Sequence, residues 1–149
     1  MKIDTNFIKN IVEEQIPIHK FLNLKLVELR TGYAKVSVPF QETVIGDIVR
    51  RRWHGGMLAT IIDSVGGIVG MTHLTSFEDK MATIDLRVDY LKAAKEEGIV
   101  VEGEVVRLGN RILVTRMKVW NEAETELLAE GKGVYNFIRM KDSSIVENN

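Results

Sequence analysis

The segment 54–73, HGGMLATIIDSVGGIVGMTH, constrains the fold more than any other part of the chain. Read as a helix from about residue 55 to about residue 73, it is apolar on nearly every side, and such a helix is buried rather than laid on a surface. The rest of the chain must therefore supply a surface that wraps it. Its apolar positions are Met57, Leu58, Ile61, Ile62, Val65, Ile68, Val69 and Met71.

One acid interrupts this apolar helix. Asp63 follows Gly56 by seven residues, so two helical turns place both on roughly the same face. Gly66, Gly67 and Gly70 share that side, and because glycine has no Cβ, another backbone or a ligand can approach closely. Two interpretations remain open on these residues alone: a functional carboxylate beside a ligand, or a structural acid beside helix-packing glycines.

A membrane-spanning helix is a third interpretation of this segment, since Gly66 and Gly70 form a GxxxG pattern. The run is only marginally long enough for a bilayer, and an ionisable group at its centre is costly. The downstream sequence also reads as strands. We therefore expect no membrane segment.

Composition narrows the classes of function. A chain of 149 residues is most simply one domain, here 1–140, and its formal charge of -1 gives no basic field for nucleic acid. The absence of cysteine excludes disulfides, thiol catalysis and zinc–thiolate sites. No two histidines have metal-ligand spacing with acids, so we expect no metal. The N-terminus, MKIDTNFIKN, is unlike a secretion signal, and a cytoplasmic protein is expected.

The N-terminal segment predicts an amphipathic helix over about 4–19. Asp4 or Thr5 can cap its start, and Pro17 marks its approximate end. One helix is too little for a helix-turn-helix DNA reader. The tail, 141–149, is expected to be disordered. The apolar stripe consists of Phe7, Ile8, Ile11, Val12 and Ile16.

Alternating patterns predict strands on both sides of the central helix. The first two runs flank Thr31-Gly32, and two later runs flank Gly109-Asn110, both of which indicate hairpins. In 81–91, Ala82, Ile84, Leu86, Val88 and Tyr90 form one apolar face. We predict an α+β fold in which a long antiparallel sheet curls around one apolar helix. The strand runs are 24–30, 33–39, 81–91, 99–108, 111–120 and 127–140, the last with Gly131 and Gly133 suggesting a bulge or a close backbone approach.

The connection 40–53 carries Arg50, Arg51 and Arg52. This run is either a solvated basic loop or a phosphate clamp, because the guanidinium fork suits phosphate oxygens. Charge alone favours the solvated loop.

The start of the central helix and its acid together indicate acyl-transfer chemistry. A helix that begins at Gly55-Gly56 presents unpaired N–H groups with the positive end of the dipole behind them. Such donors can stabilise an oxyanion. A carboxylate such as that of Asp63 can activate water or attack a carbonyl carbon. Hydrolysis of an activated ester fits this pair better than dehydration does.

The motif HGG, with an acid nine residues after the histidine on an apolar helix, resembles the hotdog-fold acyl-CoA thioesterases of the PaaI-type branch. The segment TIDLRVDYLKAA resembles the strand that follows in that family, and the spacing of strands agrees from Ile16 to Met140. The resemblance implies the hotdog fold and hydrolysis of an aryl or medium-chain acyl-CoA. Coenzyme A is then part of the substrate, and no separate cofactor is implied.

The resemblance also implies roles for individual residues. Gly55 matches the residue whose N–H polarises the thioester carbonyl, and Gly56 gives clearance beside it. Asp63 matches the catalytic base or nucleophile, and Thr83 falls where relatives hold the attacking water. His54 is expected to anchor the loop. The site of such enzymes lies between subunits of a homodimer or homotetramer, which makes Arg50, Arg51 and Arg52 candidate contacts for coenzyme A phosphates.

The chain departs from the family at two positions. Many relatives carry an asparagine six residues before the histidine, where this chain has Ile48, and Asp47 is the candidate substitute. Another branch has threonine four residues after its acid, where this chain has Gly67.

Three rival functions keep the same fold. The first is a non-catalytic module that binds or senses acyl-CoA. The second is a hydratase or dehydratase, although the Gly-Gly pair after His54 fits that chemistry poorly. The third is a structural dimer in which Asp63 is a buried acid that needs partners.

Overall fold

A computed structural model describes residues 4–140, so the expected disorder of 141–149 concerns residues outside the described part of the chain. The N-terminal segment forms α1 (Thr5–Asn10), a π-helical turn (Ile11–Gln15) and α2 (Pro17–Leu22). The central helix is α3 (Gly55–Met71), two residues shorter than expected at its C-terminal end. The strands are β1 (Lys25–Arg30), β2 (Tyr33–Val38), β3 (Ile45–Asp47), β4 (Arg52–Trp53), β5 (Lys80–Tyr90), β6 (Ile99–Leu108), β7 (Ile112–Asn121) and β8 (Leu127–Ile138).

Six of these strands form one antiparallel sheet in the order β1-β2-β6-β7-β8-β5, and β3 pairs with β4 separately. Helix α3 contacts β2, β5, β6, β7 and β8, so the sheet curls around it. The predicted α+β architecture, one apolar helix wrapped by an antiparallel sheet, is confirmed as the hotdog fold.

The core lies between α3 and the concave face of the sheet. Ile61, Ile62 and Val65 of the helix are fully buried. Two strand glycines let the helix approach: a Cβ on Gly131 would lie 2.4 Å from Ile62 Cγ2, and one on Gly103 would lie 2.9 Å from Val65 Cγ1. Of the two explanations offered for Gly131, a bulge or a close backbone approach, the structure therefore supports the close approach of α3 to the strand.

The single N-terminal helix predicted over 4–19 is wrong in its continuity. The chain becomes extended at Ile16 (ψ 112°), and Pro17 begins α2 instead of ending a helix. Proline is favoured at the first helical position, where its missing N–H costs no hydrogen bond. The predicted cap is present, since the Asp4 side chain accepts the Asn6 N–H at 3.1 Å.

Strand β5 lies at an edge of the sheet and carries a bulge between Thr83 and Asp85. A bulge inserts one unpaired residue and shifts the alternation of side chains. The prediction of one apolar face is therefore wrong at Ile84, whose side chain is 56% exposed. Thr83 faces inward before the bulge, and Leu86 faces inward after it. This shift is what turns the Thr83 hydroxyl toward α3.

Within residues 4–140, no helix combines the length and the hydropathy that a bilayer crossing requires.

Candidate active site

The first turn of α3 is capped by its own preceding residue. His54 is the N-cap, and its Nδ1 accepts the Gly56 N–H at 2.8 Å. A Cβ on Gly56 would lie 2.9 Å from two atoms of the His54 ring, so a glycine is needed for this cap. The expectation that Gly56 offers its N–H to a ligand is therefore wrong, whereas His54 does lie where it anchors the loop.

Gly55 supplies the donor that remains at this helix end. Its N–H meets no acceptor among residues 4–140, because it precedes the intrahelical ladder and the His54 ring takes the next N–H. Its carbonyl accepts the Tyr90 hydroxyl at 2.6 Å, which ties the start of α3 to the end of edge strand β5. Tyr90 was read from sequence only as part of an apolar strand face.

Two hydroxyl groups converge on Asp63, in the middle of α3. Thr83 Oγ1 donates to Asp63 Oδ1 at 2.9 Å. The Tyr135 hydroxyl lies 2.9 Å from the Asp63 main-chain oxygen and 3.3 Å from Oδ1. Both side-chain contacts fall on Oδ1, and no hydrogen bond from the described part of the chain reaches Oδ2. The carboxylate is thus held by one oxygen and free at the other.

Sequence reasoning placed Thr83 beside Asp63 but missed Tyr135. Tyr135 lies in β8 and is 2% exposed, and nothing in its local pattern distinguishes it from an ordinary core aromatic residue. Burial, followed by the negative charge of Asp63, raises the pKa of the Tyr135 hydroxyl above its usual value. The phenol therefore stays protonated and acts as a donor toward Asp63.

The glycines of α3 have different neighbours. A Cβ on Gly66 would lie 2.1 Å from the Tyr135 hydroxyl oxygen, and one on Gly70 would lie 2.3 Å from Met81 Sδ. Both positions are filled by side chains of the protein's own sheet. Gly67 differs, because the nearest atom to its Cβ position is Met81 Cε at 3.9 Å. Of the three, only Gly67 leaves open space, in agreement with one of the two interpretations of this stripe.

Asp63 and Thr83 open onto a cleft of about 180 Å³. The N-terminal segment contributes one wall through Ile16 and His19. His19 is buried, its Nδ1 lies 2.9 Å from the Val12 carbonyl oxygen, and burial lowers the pKa of its imidazole. The remaining wall is mostly apolar, with Ile68, Met71 and Met81 beside Gly67.

The three arginines before α3 do not act as one group. Arg51 forms ion pairs with Glu42 and Glu96, which hold it in a left-handed conformation (φ 54°). Arg50 lies 3.3 Å from Asp47, and both side chains are solvent-exposed or nearly so. Arg51 is therefore engaged within its own chain, and the hypothesis of a three-arginine phosphate clamp is wrong for this residue.

Arg52 has different surroundings. It lines a second cleft, of about 280 Å³, together with Gly55, Tyr90 and Lys92. Of the three arginines, Arg52 is therefore the one that lies beside the donor at the start of α3.

Asp47 closes the turn in this loop. Its Oδ1 accepts the N–H groups of Val49 and Arg50, each at 3.0 Å. These bonds, chiefly the one from the Arg50 main chain, lower the pKa of the Asp47 carboxyl. The Asp47 carboxylate thus stabilises the turn of its own loop. The neighbouring Ile48 side chain is 83% exposed.

The helix itself separates the two candidate chemical groups. Gly55 and Asp63 are eight residues apart in α3, which corresponds to about 12 Å along the helix axis. A carbonyl group that accepts a hydrogen bond at about 3 Å and is attacked from about 3 Å spans less than this separation, so the two groups of one helix are poorly placed to act on the same carbonyl. Within residues 4–140, moreover, no three His, Asp or Glu side chains converge in a way that would hold a metal ion.

Comparison with known proteins shows the family of the chain. A sequence model of the thioesterase superfamily matches residues 52–128, which include α3 and Asp63. The chain is 31% identical over 121 residues to the medium/long-chain acyl-CoA thioesterase YigI of Escherichia coli K12, covering 73% of this chain and 78% of that protein.

Solved structures show the same fold. A Shewanella oneidensis protein related to the thioesterase superfamily superimposes with a TM-score of 0.75 at 28% identity, over 88% of this chain and 93% of that one. The PaaI protein of the Escherichia coli phenylacetic acid degradation operon gives a TM-score of 0.74 at 16% identity, over 85% and 87% of the two chains. The chain belongs to the thioesterase superfamily and is a thioester hydrolase with the hotdog fold.

Proposed function

We propose that this hydrolase cleaves acyl-CoA at a site shared by two protomers. The Gly55 N–H of one protomer donates a hydrogen bond to the thioester carbonyl oxygen, and Asp63 of the other protomer activates a water molecule or attacks the carbonyl carbon. The observation that carries the proposal is the half-anchored carboxylate of Asp63, which lines a cleft, is bonded to Thr83 through Oδ1, and receives no hydrogen bond from residues 4–140 at Oδ2. The similarity to an acyl-CoA thioesterase supports coenzyme A as the thiol component.

A second copy of the chain would supply one of the two groups, because Gly55 and Asp63 of one chain are poorly placed for the same carbonyl. The edge strand β5 supports such an assembly, since an eleven-residue edge with free main-chain groups pairs readily with another strand. Ile84 and Leu91, both more than half exposed, lie along this edge and would be covered. A homodimer is the smallest assembly that completes the site, and two such dimers would form a homotetramer.

Two routes use the same groups. As a general base, Asp63 Oδ2 takes a proton from water, whose oxygen attacks the carbonyl carbon before the thiolate of coenzyme A departs. As a nucleophile, Oδ2 attacks the carbonyl carbon itself, the C–S bond breaks with departure of the coenzyme A thiolate, and water then hydrolyses the resulting anhydride to the free acid and the Asp63 carboxylate. In both routes negative charge develops on the carbonyl oxygen, where the Gly55 N–H and the helix dipole stabilise it. Thr83 holds the carboxylate in place.

The acyl group occupies the cleft beside Asp63. Its walls of Ile16, Ile68, Met71 and Met81 favour an apolar acyl group, aryl or medium-chain, and Gly67 leaves the space that such a group needs. The nucleotide end lies near the start of the helix that supplies Gly55. There Arg52 offers a planar fork for phosphate oxygens.

A non-catalytic acyl-CoA binding module is the alternative. It would use the same clefts, but its function would not depend on a carboxylate with one oxygen free. Replacing Asp63 separates the two functions.

The test is Asp63→Asn, assayed for release of free thiol from aryl, medium-chain and long-chain acyl-CoA. Turnover is expected to fall about a hundredfold to ten-thousandfold, because the amide cannot take a proton or attack a carbonyl. Binding of a non-hydrolysable acyl-CoA analogue is expected to persist, since the Gly55 N–H is unchanged. Glu104→Gln, which alters an exposed carboxylate on β6, is the matched control and should keep full activity. Undiminished turnover in Asp63→Asn would refute the proposed function.

A further inference from the structure

We propose that Tyr135 is a positioning residue whose single hydroxyl proton follows the charge on Asp63 during the reaction. The proposal rests on the proposed function, because it gives Tyr135 a role only if Asp63 is the reacting carboxylate.

Two oxygens of Asp63 are the acceptors that the Tyr135 hydroxyl reaches, and the Thr115 hydroxyl is its other polar neighbour. One is the Asp63 main-chain oxygen at 2.9 Å, and the other is Asp63 Oδ1 at 3.3 Å. A phenol has one proton to donate, so the two oxygens compete for it. The charge on the main-chain oxygen stays the same throughout the reaction. The strength of Oδ1 as an acceptor depends on whether the carboxylate is ionised or neutral.

The ring that carries this hydroxyl is tightly enclosed. Tyr135 is 2% exposed, and a Cβ added to Gly133 would lie 2.6 Å from its ring. The Gly66 position leaves room for the hydroxyl and for nothing larger, since a Cβ there would lie 2.1 Å from the oxygen. Rotation of the O–H bond is therefore the motion left to Tyr135, and that rotation redirects the proton between the two acceptors.

The charge on Asp63 sets the direction of this proton. A hydrogen bond to an ionised acceptor is roughly twice as strong as one between neutral groups, so the anionic carboxylate draws the proton to Oδ1. Once Oδ2 has taken a proton or formed an anhydride, the carboxyl group is neutral, and the main-chain oxygen becomes the better acceptor. Tyr135 thus stabilises the carboxylate before the attack and again when it is released, without giving up its proton.

The first test is Tyr135→Phe, which keeps the ring and removes the hydroxyl. Because Oδ1 then keeps only the Thr83 donor and the carboxylate is oriented less firmly, kcat is expected to fall about ten- to hundredfold. The KM for acyl-CoA is expected to stay unchanged. The acid limb of the pH–rate profile is expected to move to higher pH, because a carboxylate that loses a donor is protonated more readily.

Tyr33→Phe is the matched control. Tyr33 also donates its hydroxyl to a carboxylate, that of Glu102 at 2.6 Å, but it lies on the outer face of the sheet. This variant should keep the kcat and the pH profile of the wild type. A change of similar size in both variants would overturn the proposal, because it would trace the effect to the loss of any hydrogen bond between a tyrosine and a carboxylate.

A second measurement does not depend on removing the hydroxyl. Incorporation of 3-fluorotyrosine at position 135 keeps the donor and makes it more acidic, so the acid limb is expected to move to lower pH. Unchanged acid limbs in both the phenylalanine and the fluorotyrosine proteins would overturn the role of Tyr135. If Asp63→Asn is inactive in that same series, the proposed function stands and only the inference on Tyr135 fails.

Discussion

The adjacent glycines Gly66 and Gly67 make a paired test of the packing around Asp63. In Gly66→Ala the new Cβ would lie 2.1 Å from the Tyr135 hydroxyl oxygen and 2.9 Å from Thr115 Oγ1, so Tyr135 must move. Overpacking of this kind costs about 1–3 kcal/mol, against a gain of about 0.5–1 kcal/mol for replacing glycine within a helix. In Gly67→Ala the nearest atom is Met81 Cε at 3.9 Å, and only the gain remains.

The free energies of unfolding of the two variants are therefore expected to differ by about 2 kcal/mol, with opposite signs relative to the wild type. For a chain of this size, that difference corresponds to melting temperatures separated by about 5 °C. Thermal unfolding must be followed at one fixed protein concentration, because association shifts the apparent stability. Gly66→Ala should also lose turnover, since Tyr135 is displaced from Asp63. A melting temperature of Gly66→Ala equal to or higher than that of Gly67→Ala would refute this account of the glycines in α3.

Three further predictions follow from the clefts, the edge strand and the buried histidine. Arg52→Ala is expected to raise the KM for acyl-CoA and to leave unchanged the KM for a short thioester that lacks the nucleotide. Arg51→Ala should leave both KM values unchanged and lower the melting temperature. Equal effects of Arg52→Ala on the two substrates would contradict the phosphate contact. Sedimentation velocity at micromolar concentration should find a dimer or a larger assembly, and a monomer would contradict the shared site. Burial lowers the pKa of His19 in the folded chain, so as the pH falls below about 6.5 the imidazole is protonated in the unfolded chain before it is protonated in the folded chain. The free energy of unfolding should therefore be full above that pH and decrease below it. His19→Gln should reduce this dependence in melting curves between pH 5 and 8, and an equal dependence in both proteins would exclude His19 as the cause.

The fold could be predicted because its signals are local and strong. An apolar helix with one acid and strands of strict alternation leave few arrangements in which the helix is covered, and the strand boundaries observed lie within a few residues of those expected.

The features that sequence reasoning missed depend on contacts between distant segments. The bulge after Thr83 reverses the inward face of β5, and a period-two pattern does not reveal where the alternation shifts. Tyr135 lies 72 residues from Asp63 in the chain, so no local spacing connects them. The ion pairs that engage Arg51 join it to Glu42 of the same connection and to Glu96, which is 45 residues away in the chain. The capping of Gly56 by His54 is local, but HGG alone does not say which N–H the ring takes.

The central claim is that one site combines Gly55 of one protomer with Asp63 of another. Gly55→Pro removes the N–H and suits the first helical position, since His54 is already extended (ψ 128°), as a residue before proline must be. Gly55→Ala is its control, because it keeps the N–H and adds a Cβ 3.3 Å from the Tyr90 ring.

The decisive measurement is the turnover of a mixed dimer, prepared by co-expressing differently tagged Gly55→Pro and Asp63→Asn chains and purifying through both tags. Each parent variant alone should be nearly inactive. If the site is shared, one of the two sites in the mixed dimer contains an intact Gly55 and an intact Asp63, and the account predicts about half of the wild-type kcat. If both groups acted within one chain, neither site would be intact, and a mixed dimer as inactive as its parents would contradict the account.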